Sequence, residues 1–327
     1  AVLAGPGPRG RLEPGVENGQ IREVREAMFT RIHHLGLVVD DLEAAKKLWL
    51  DTYGFKVDEA RSPLPKGRHV DLDDVNILDI PVGESELEVN VANDPNSGTG
   101  KFLARRGPGP HHICMYSDDI DADAKRLSDG GLQVVVPPRG SRDQNGGSRV
   151  AFYHPRGNLG FLLEVWQNMP LNGVVPKPPR GRGGRLTKIH HIGVVCATLE
   201  EARHLFVDVY GLKVDAAHTP LPNGRYATND NVRILEFPIG ESRIEATVPQ
   251  DETSGTARFL ASRGPGIHHV CFYSEDIEHD ANRLKAAGLQ QIGTVTVAEG
   301  GRAKVAFFHP KSNMGILVEL WQDVAGR

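Results

Sequence analysis

A regular pattern of apolar and polar positions runs along the chain and predicts its elements. The apolar run in "IHHLGLVVD" predicts a strand, and the residues after it, Leu42, Ala45 and Leu48, recur at the spacings of three and four that indicate an amphipathic helix. The aspartates before this run are suited to cap that helix. Beyond Gly54, the runs "VNILDIPV" and "ELEVNV" predict further strands. The stretch is therefore interpreted as a βαβββ unit.

This unit is predicted four times. The sequence "IHHLGLVVDDLEAAKKLWLDTYGFKVD" from Ile32 returns as "IHHIGVVCATLEEARHLFVDVYGLKVD" from Ile189, and within the first half "HHLGLVVDDLEAAKKL" aligns with "HHICMYSDDIDADAKRL". A quarter of this length is too short to bury a good core alone, so we expect quarters to pair. The predicted fold is α+β, with four βαβββ modules paired into two tandem domains of mixed sheet.

Composition divides the chain further. Residues 1–28 are rich in glycine and proline and poor in large apolar residues, which predicts a flexible N-terminal arm. We expect a first domain over 29–168, a Pro/Gly-rich linker over 169–187 and a second domain over 188–327.

Charge and cysteine content narrow the function classes. The chain has 327 residues, a net charge of -4 and three cysteines. This charge gives no reason to expect a nucleic-acid or membrane partner, and no apolar stretch reaches the ~18 residues of a membrane span. The cysteine count indicates a reduced protein, so the expected location is the cytoplasm.

Histidine pairs and single glutamates stand out because they recur with the modules. The first strand of each quarter carries a His-His pair, and the last strand carries one glutamate among apolar neighbours, where a carboxylate needs compensation. Two paired quarters would bring together two imidazoles and two carboxylates, a donor set suited to Zn, Ni, Co, Fe or Mn. Either histidine of a pair could face inward, so the pattern alone leaves that choice open. The glutamates are Glu88, Glu164, Glu245 and Glu319.

These segments carry a family resemblance. The motif "IHHLGLVVD", the Gly-Pro-Gly-x-His-His-Ile/Val segment and "AFFHPKSNMGILVELWQD" resemble the vicinal oxygen chelate (glyoxalase/bleomycin resistance/dioxygenase) superfamily, and most of all its methylmalonyl-CoA epimerases. The resemblance implies cup-shaped sheets, each around one divalent metal, and it assigns the second histidine of each pair as a ligand. The first histidines then have a structural or supporting role. The implied metal ligands are His34, Glu88, His112, Glu164, His191, Glu245, His269 and Glu319.

The resemblance also implies a reaction. The metal would hold two neighbouring oxygens of a small-molecule substrate, vicinal or 1,3-related, and stabilise an enolate. Glu164 and Glu319 are the implied catalytic proton carriers of an epimerase or isomerase, with an acyl-CoA as one candidate substrate and a homodimer as one candidate assembly. A glyoxalase-I-like lyase, an extradiol-type dioxygenase and a non-catalytic binding protein stay open as alternatives.

A second base is not evident in the sequence. Where the epimerase pattern has a carboxylate, alignment places Asn76 and Arg233. Asp79 and Glu236 are nearby, but their spacing from these positions predicts that they face the other side of the strand.

Overall fold

The computed structural model describes residues 29–143, 146–170, 174–178 and 180–324. The predicted arm, residues 1–28, lies outside the described residues.

The first half contains eight strands and three helices. The strands are β1 (Phe29–Val38), β2 (Arg68–Val70), β3 (Val75–Val82), β4 (Ser85–Ala92), β5 (Gly109–Ser117), β6 (Val134–Asp143), β7 (Gly146–Tyr153) and β8 (Leu162–Asn168). The helices are α1 (Leu42–Lys46), which continues as a π-helical turn (Lys47–Thr52), α2 (Gly98–Arg106) and α3 (Ile120–Asp129).

The second half repeats this order. Its strands are β9 (Leu186–Val195), β10 (Arg225–Ala227), β11 (Val232–Ile239), β12 (Ser242–Pro249), β13 (Gly266–Ser274), β14 (Gln291–Ala298), β15 (Ala303–Phe308) and β16 (Leu317–Asp323). Its helices are α4 (Leu199–Arg203), which continues as a π-helical turn (His204–Val209), α5 (Gly255–Arg263) and α6 (Ile277–Ala286), and two 3₁₀ turns follow (Glu299–Gly301, Pro310–Ser312).

Each half forms one curled eight-stranded sheet from two βαβββ modules, as predicted. The strand order is β2-β3-β4-β1-β5-β8-β7-β6 in the first sheet and β10-β11-β12-β9-β13-β16-β15-β14 in the second. The modules join where β1 runs antiparallel to β5, and each of these strands lies parallel to the last strand of its own module. The helices α2 and α5, which connect the modules, are not anticipated by the sequence pattern.

Local sequence explains where the module helices begin. Asp41 and Asp119 accept a hydrogen bond from the backbone N–H three residues on, which satisfies a donor that the first turn leaves free. The apolar face that follows then packs onto the sheet, with Ile120 and Leu127 fully buried.

The two sheets share one buried core. The rings of Trp49 and Tyr53, after α1, lie 6.4 and 5.9 Å from the ring of Phe272 in β13. The Tyr53 hydroxyl donates to Asn313 Oδ1 (2.7 Å), and reciprocally the Tyr210 hydroxyl donates to Asn158 Oδ1. Because the core is continuous, the domain boundaries at 168 and 188 stay a prediction.

The described helices were also compared with the dimensions of a bilayer. None of them combines the length and the apolar character that a membrane span requires.

Candidate metal centre

Four neighbouring strands at the centre of the first sheet carry the candidate donors. The middle strands β1 and β5 present His34 and His112, and the flanking strands β4 and β8 present Glu88 and Glu164. Glu88 lies across from Gly36 in the parallel ladder between β4 and β1. The ligand atoms of all four side chains lie within 4.8 Å of one another. The topology therefore places the four residues that the resemblance selects on one face of the sheet.

Each histidine pair sits at a β-bulge, which explains how both rings reach the same region. In the ladder between β1 and β5, Ile32 pairs with Met115 and His34 with Cys114, so His33 is an extra residue without a partner across the ladder. Neighbours in a regular strand point to opposite faces, and a bulge removes that alternation. The Nδ1 atoms of His33 and His34 consequently lie 2.8 Å apart.

The other three pairs repeat this geometry. Ladder registers also skip His111, His190 and His268, and the corresponding Nδ1 to Nδ1 distances are 3.1, 2.9 and 3.1 Å. Each pair can share one proton between its Nδ1 atoms, which leaves Nε2 of the second histidine directed at the glutamates. The first histidine therefore supports the ring orientation of the second, the role that metal-binding histidines commonly find in a hydrogen-bond partner.

The four donors of the first half form a compact group. His34 Nε2 lies 2.9 Å from His112 Nε2 and 3.0 Å from Glu164 Oε2, and His112 Nε2 lies 3.3 Å from Glu164 Oε2. Glu88 Oε1 lies 3.7 and 3.6 Å from the two imidazole nitrogens. All four residues are at most 5% exposed.

These separations fit a divalent ion. Adjacent donors of an octahedral ion lie about 3.0 Å apart when each bond is ~2.1 Å, and those of a tetrahedral ion lie about 3.4 Å apart. Two imidazoles and two carboxylates are the donor types of first-row divalent metals. The chemistry of the donors and their spacing agree with each other.

The second half assembles a smaller group. His191 Nε2 lies 2.9 Å from His269 Nε2 and 3.0 Å from Glu319 Oε2, almost the same as in the first half. Glu245 Oε1, however, lies 3.9 Å from His269 Nε2, and in the described part of the chain the group within 4.8 Å contains three residues without it. The structure thus brings seven of the eight implied ligands into compact groups and leaves Glu245 at the margin of the second.

A glycine two residues after the first ligand of each half is required by this packing. A Cβ placed on Gly36 would lie 2.0 Å from His112 Cε1, and one on Gly193 would lie 2.0 Å from His269 Cε1. No real Cβ contact is that short, so only glycine lets the second imidazole lie over the first strand. The glycine of "HHLG" and "HHIG" is a sequence signal for this arrangement that the pattern of polar residues does not contain.

The donors are electrostatically coupled. Burial disfavours ionised carboxylates, yet the adjacent imidazoles, His34 first, hold the pKa values of Glu88 and Glu164 below the ordinary range. Burial also disfavours a charged His112, but its hydrogen bonds with Glu164 and Glu88 raise its pKa to about 9. The buried carboxylates thus favour positive charge between them, which a divalent cation supplies through the same lone pairs.

The first histidines are in a different environment. Burial, followed by the neighbouring imidazole, lowers the pKa of His111 and His268 to about 3 and that of His190 to about 2. The rings of His33 and His190 stack on Trp166 and Trp321 at centroid distances of 4.8 and 4.6 Å. These neutral rings are suited to accept the Nδ1 proton of their neighbours.

Arginines flank the first group. Arg68 donates to both oxygens of Asp79 (2.7 and 3.1 Å) and to Glu88 Oε2 (2.9 Å). It therefore holds in place the Glu88 carboxylate that would also bind the ion. Arg61 donates to Glu86 Oε1 (2.6 Å) and to Asp79 Oδ1 (3.2 Å). Two guanidinium groups therefore meet three carboxylates beside the donors.

The second half arranges these charges differently. Arg225 and Arg243 each donate to one oxygen of Glu236 at 2.9 Å, and Arg225 lies 3.8 Å from Glu245 Oε2. His218 occupies the position in the second half that Arg61 occupies in the first, and it contacts Asp215 at the surface. Here two guanidinium groups meet two carboxylates.

Asp79 and Asn76 face opposite sides of β3, as their spacing predicts, but it is Asp79 that faces the cup. Asp79 lies across from Glu88 in the ladder between β3 and β4, on the cup face of the sheet, and Asn76 points to the other face. Asp79 nevertheless has no free basic oxygen, because Ser62 (2.5 Å) and the two arginines donate to it, and the arginines hold its pKa below the ordinary value against burial. Glu236 is the equivalent residue across from Glu245 and is likewise held by two arginines.

A family profile matches both halves of this chain. The profile of the Glyoxalase/Bleomycin resistance protein/Dioxygenase superfamily matches residues 33–152 and 190–307, which include six of the eight candidate ligands. The chain belongs to this superfamily. The two unmatched candidates, Glu164 in β8 and Glu319 in β16, each lie just beyond a matched region.

Individual members of the superfamily match parts of the chain. An ethylmalonyl-CoA/methylmalonyl-CoA epimerase from Cereibacter sphaeroides is 32% identical over 137 residues, which cover 41% of this chain and 97% of the relative. A 4-hydroxyphenylpyruvate dioxygenase-like protein from Rattus norvegicus is 25% identical over 224 residues, which cover 59% of this chain and 60% of the relative.

Two solved structures share the fold over most of this chain. A mutant 4-hydroxymandelate synthase from Streptomyces coelicolor superposes with a TM-score of 0.67 at 16% identity, covering 92% of this chain and 94% of the other. The Mn(II)-bound glyoxalase from Novosphingobium aromaticivorans superposes with a TM-score of 0.59 at 17% identity, covering 90% and 83%. At these identities the similarity concerns the fold alone.

Proposed function

We propose that the chain is a divalent-metal-dependent enzyme that stabilises an enolate by holding two oxygens of its substrate, and that it acts as an epimerase or isomerase of methylmalonyl-CoA type. The observation that carries this proposal is the compact buried group of His34, Glu88, His112 and Glu164. The relationship to the Cereibacter sphaeroides epimerase supports the acyl-CoA substrate class.

The proposed metal ligands are the two second histidines and the glutamates of each half. A divalent ion bound there would act as a Lewis acid on the substrate oxygens and lower the barrier to removing the intervening proton. The chain contributes the ring orientation fixed by the bulged histidines and the position of Glu88 fixed by Arg68.

Glu164 is the proposed proton carrier of the first half. Its Oε2 lies near both imidazoles, and the residue as a whole is 4% exposed. Glu319 has the same contacts in the second half. A carboxylate in this position could remove a proton from the carbon between two held oxygens and return it.

Solvent exchange tests the proposed reaction. We expect the metal-loaded protein to incorporate deuterium from D₂O at the α-carbon of a malonyl-type thioester, and Glu164→Gln together with Glu319→Gln to abolish the exchange. Lack of exchange with methylmalonyl-CoA and ethylmalonyl-CoA by a fully metal-loaded protein would contradict the epimerase proposal.

A dioxygenase is the second candidate, and one observation favours it for the second half. His191, His269 and Glu319 form a two-histidine, one-carboxylate group, the donor set typical of non-haem Fe(II) oxygenases. The dioxygenase-like relative from Rattus norvegicus supports this alternative. Oxygen uptake that requires Fe(II) and an aromatic substrate would identify it, whereas solvent exchange without oxygen uptake would favour the epimerase.

A further inference from the structure

The two cups differ in one charged residue that lies directly beside the candidate ligands. In the first half, Glu86 in β4 pairs with His34 in β1, and it precedes Glu88 on the same face of the strand. In the second half, Arg243 in β12 holds the same place beside His191 and Glu245. Paired strands are ~4.8 Å apart, so each residue is the immediate neighbour of a ligand histidine.

Arg243 is accessible, whereas Glu86 is not. The side chain of Arg243 is 30% exposed, and that of Glu86 is 2% exposed. Glu86 is buried against Arg61. Among the described residues, Arg243 makes its hydrogen bond to Glu236 through Nη1, and its Nε and Nη2 make none. One edge of this guanidinium is therefore available to a ligand in the second cup.

The charged groups around the ligands are less negative in the second cup than in the first. The arginines of the second cup face Glu236 and Glu245, whereas those of the first cup face Asp79, Glu86 and Glu88. Arginine presents a planar pair of donors that matches the two oxygens of a carboxylate. A carboxylate next to Arg243 would also lie next to the ligand positions.

We propose that Arg243 forms an anion-binding subsite in the second cup, which takes a carboxylate group of the substrate, and that Glu86 removes this subsite from the first cup. The inference deepens the proposed function and rests on it for the identity of the substrate. The two halves would then differ in how they hold the substrate, with Arg243 adding a contact to its carboxylate in the second cup.

Malonate binding tests this subsite. We expect the metal-free full-length chain, titrated by calorimetry, to bind one equivalent of malonate, and Arg243→Gln to weaken this binding by about tenfold or more, the effect of losing one charged hydrogen-bonded pair. The control Arg233→Gln removes an arginine from the neighbouring strand β11, where its pairing with Val248 places it on the opposite face. Malonate affinity should be unchanged in this control.

A gain-of-function variant provides the converse test. Glu86→Arg combined with Arg61→His gives the first cup the residues of the second, and we expect a second equivalent of malonate to bind. Malonate binding that is insensitive to Arg243→Gln, or two equal sites in the parent chain, would overturn the proposal. Mn(II) uptake, measured on a portion of each sample dialysed against Mn(II), separates the two proposals, because a chain that takes up no metal contradicts the proposed function and leaves the Arg243 result independent.

Discussion

The two halves of the molecule have nearly the same distances among their two ligand histidines and last glutamate, but they differ in the charged residues around them. The imidazole nitrogens lie 2.9 Å apart in both cups, and the last glutamate lies 3.0 Å from the first ligand histidine in both. Around this centre, the second arginine of the network comes from a loop in the first half (Arg61) and from a strand in the second (Arg243).

This comparison separates the structural features that the two halves share from those that differ between them. The bulges, the glycine under the second histidine and the donor spacing are properties of the backbone, and they occur in both halves. The arginine that neutralises Asp79 or Glu236 is needed because the carboxylate is buried, but either a loop or a strand can supply it. The backbone geometry of the site is thus the same in both halves, while the charged residues around the ligands differ.

We expect the largest loss of stability and of metal binding from a substitution that places a Cβ where the ring of His112 lies. Gly36→Ala forces a Cβ into the ring of His112, so we expect a loss of about 2–3 kcal/mol in unfolding free energy and of the metal in the first half. Denaturant unfolding and metal analysis measure the two effects. Gly266→Ala is the control, because a Cβ at Gly266 meets no atom within 4 Å. Metal retention in both cups of the Gly36→Ala protein would show that the strands are not held this tightly.

The next effect separates the two first-module glutamates. Glu88 belongs to the compact group and Glu245 does not, so Glu88→Gln should weaken metal binding to its cup by about tenfold or more, and Glu245→Gln by less than about threefold. Competition with a chelator of known affinity gives both values. Equal losses would mean that Glu245 reaches the ion and that the two cups bind metal alike.

A smaller effect is expected from the bulged histidines. His33→Phe keeps the stacking on Trp166 but removes the acceptor for the Nδ1 proton of His34, so metal affinity should fall by about tenfold. His33→Gln restores a side-chain acceptor and should recover part of that loss. If the two variants bind metal equally well and differ only in thermal stability, His33 has a packing role alone.

Much of the fold could be predicted from the sequence because local signals agreed with the repeat. The capped helices after Asp41 and Asp119 and the runs that form β3 and β4 occur where the pattern places them. The helices α2 and α5 were missed because their apolar positions are few, and they are positioned by serine caps at Ser97 and Ser254.

The site was predictable only in part for a physical reason. Strand periodicity assumes regular alternation, and the bulges at the histidine pairs break it, so the sequence could not decide which histidine faces the glutamates. The aligned position, Asn76, faces away from the cup, and Asp79 faces the cup because it pairs with Glu88 in the regular ladder between β3 and β4. The sequence alone shows that Arg243 occupies the second-half position of Glu86. The strand pairing is needed to show that both residues lie beside a ligand histidine.

Metal stoichiometry tests the central claim, two metal-binding cups in one chain, most directly. Equilibrium dialysis of the full-length protein against Mn(II) or Zn(II), followed by elemental analysis, should give two ions per chain, and one ion after either Glu164→Gln or Glu319→Gln. A chain that binds no divalent ion, or that still binds two ions after either substitution, would contradict the account.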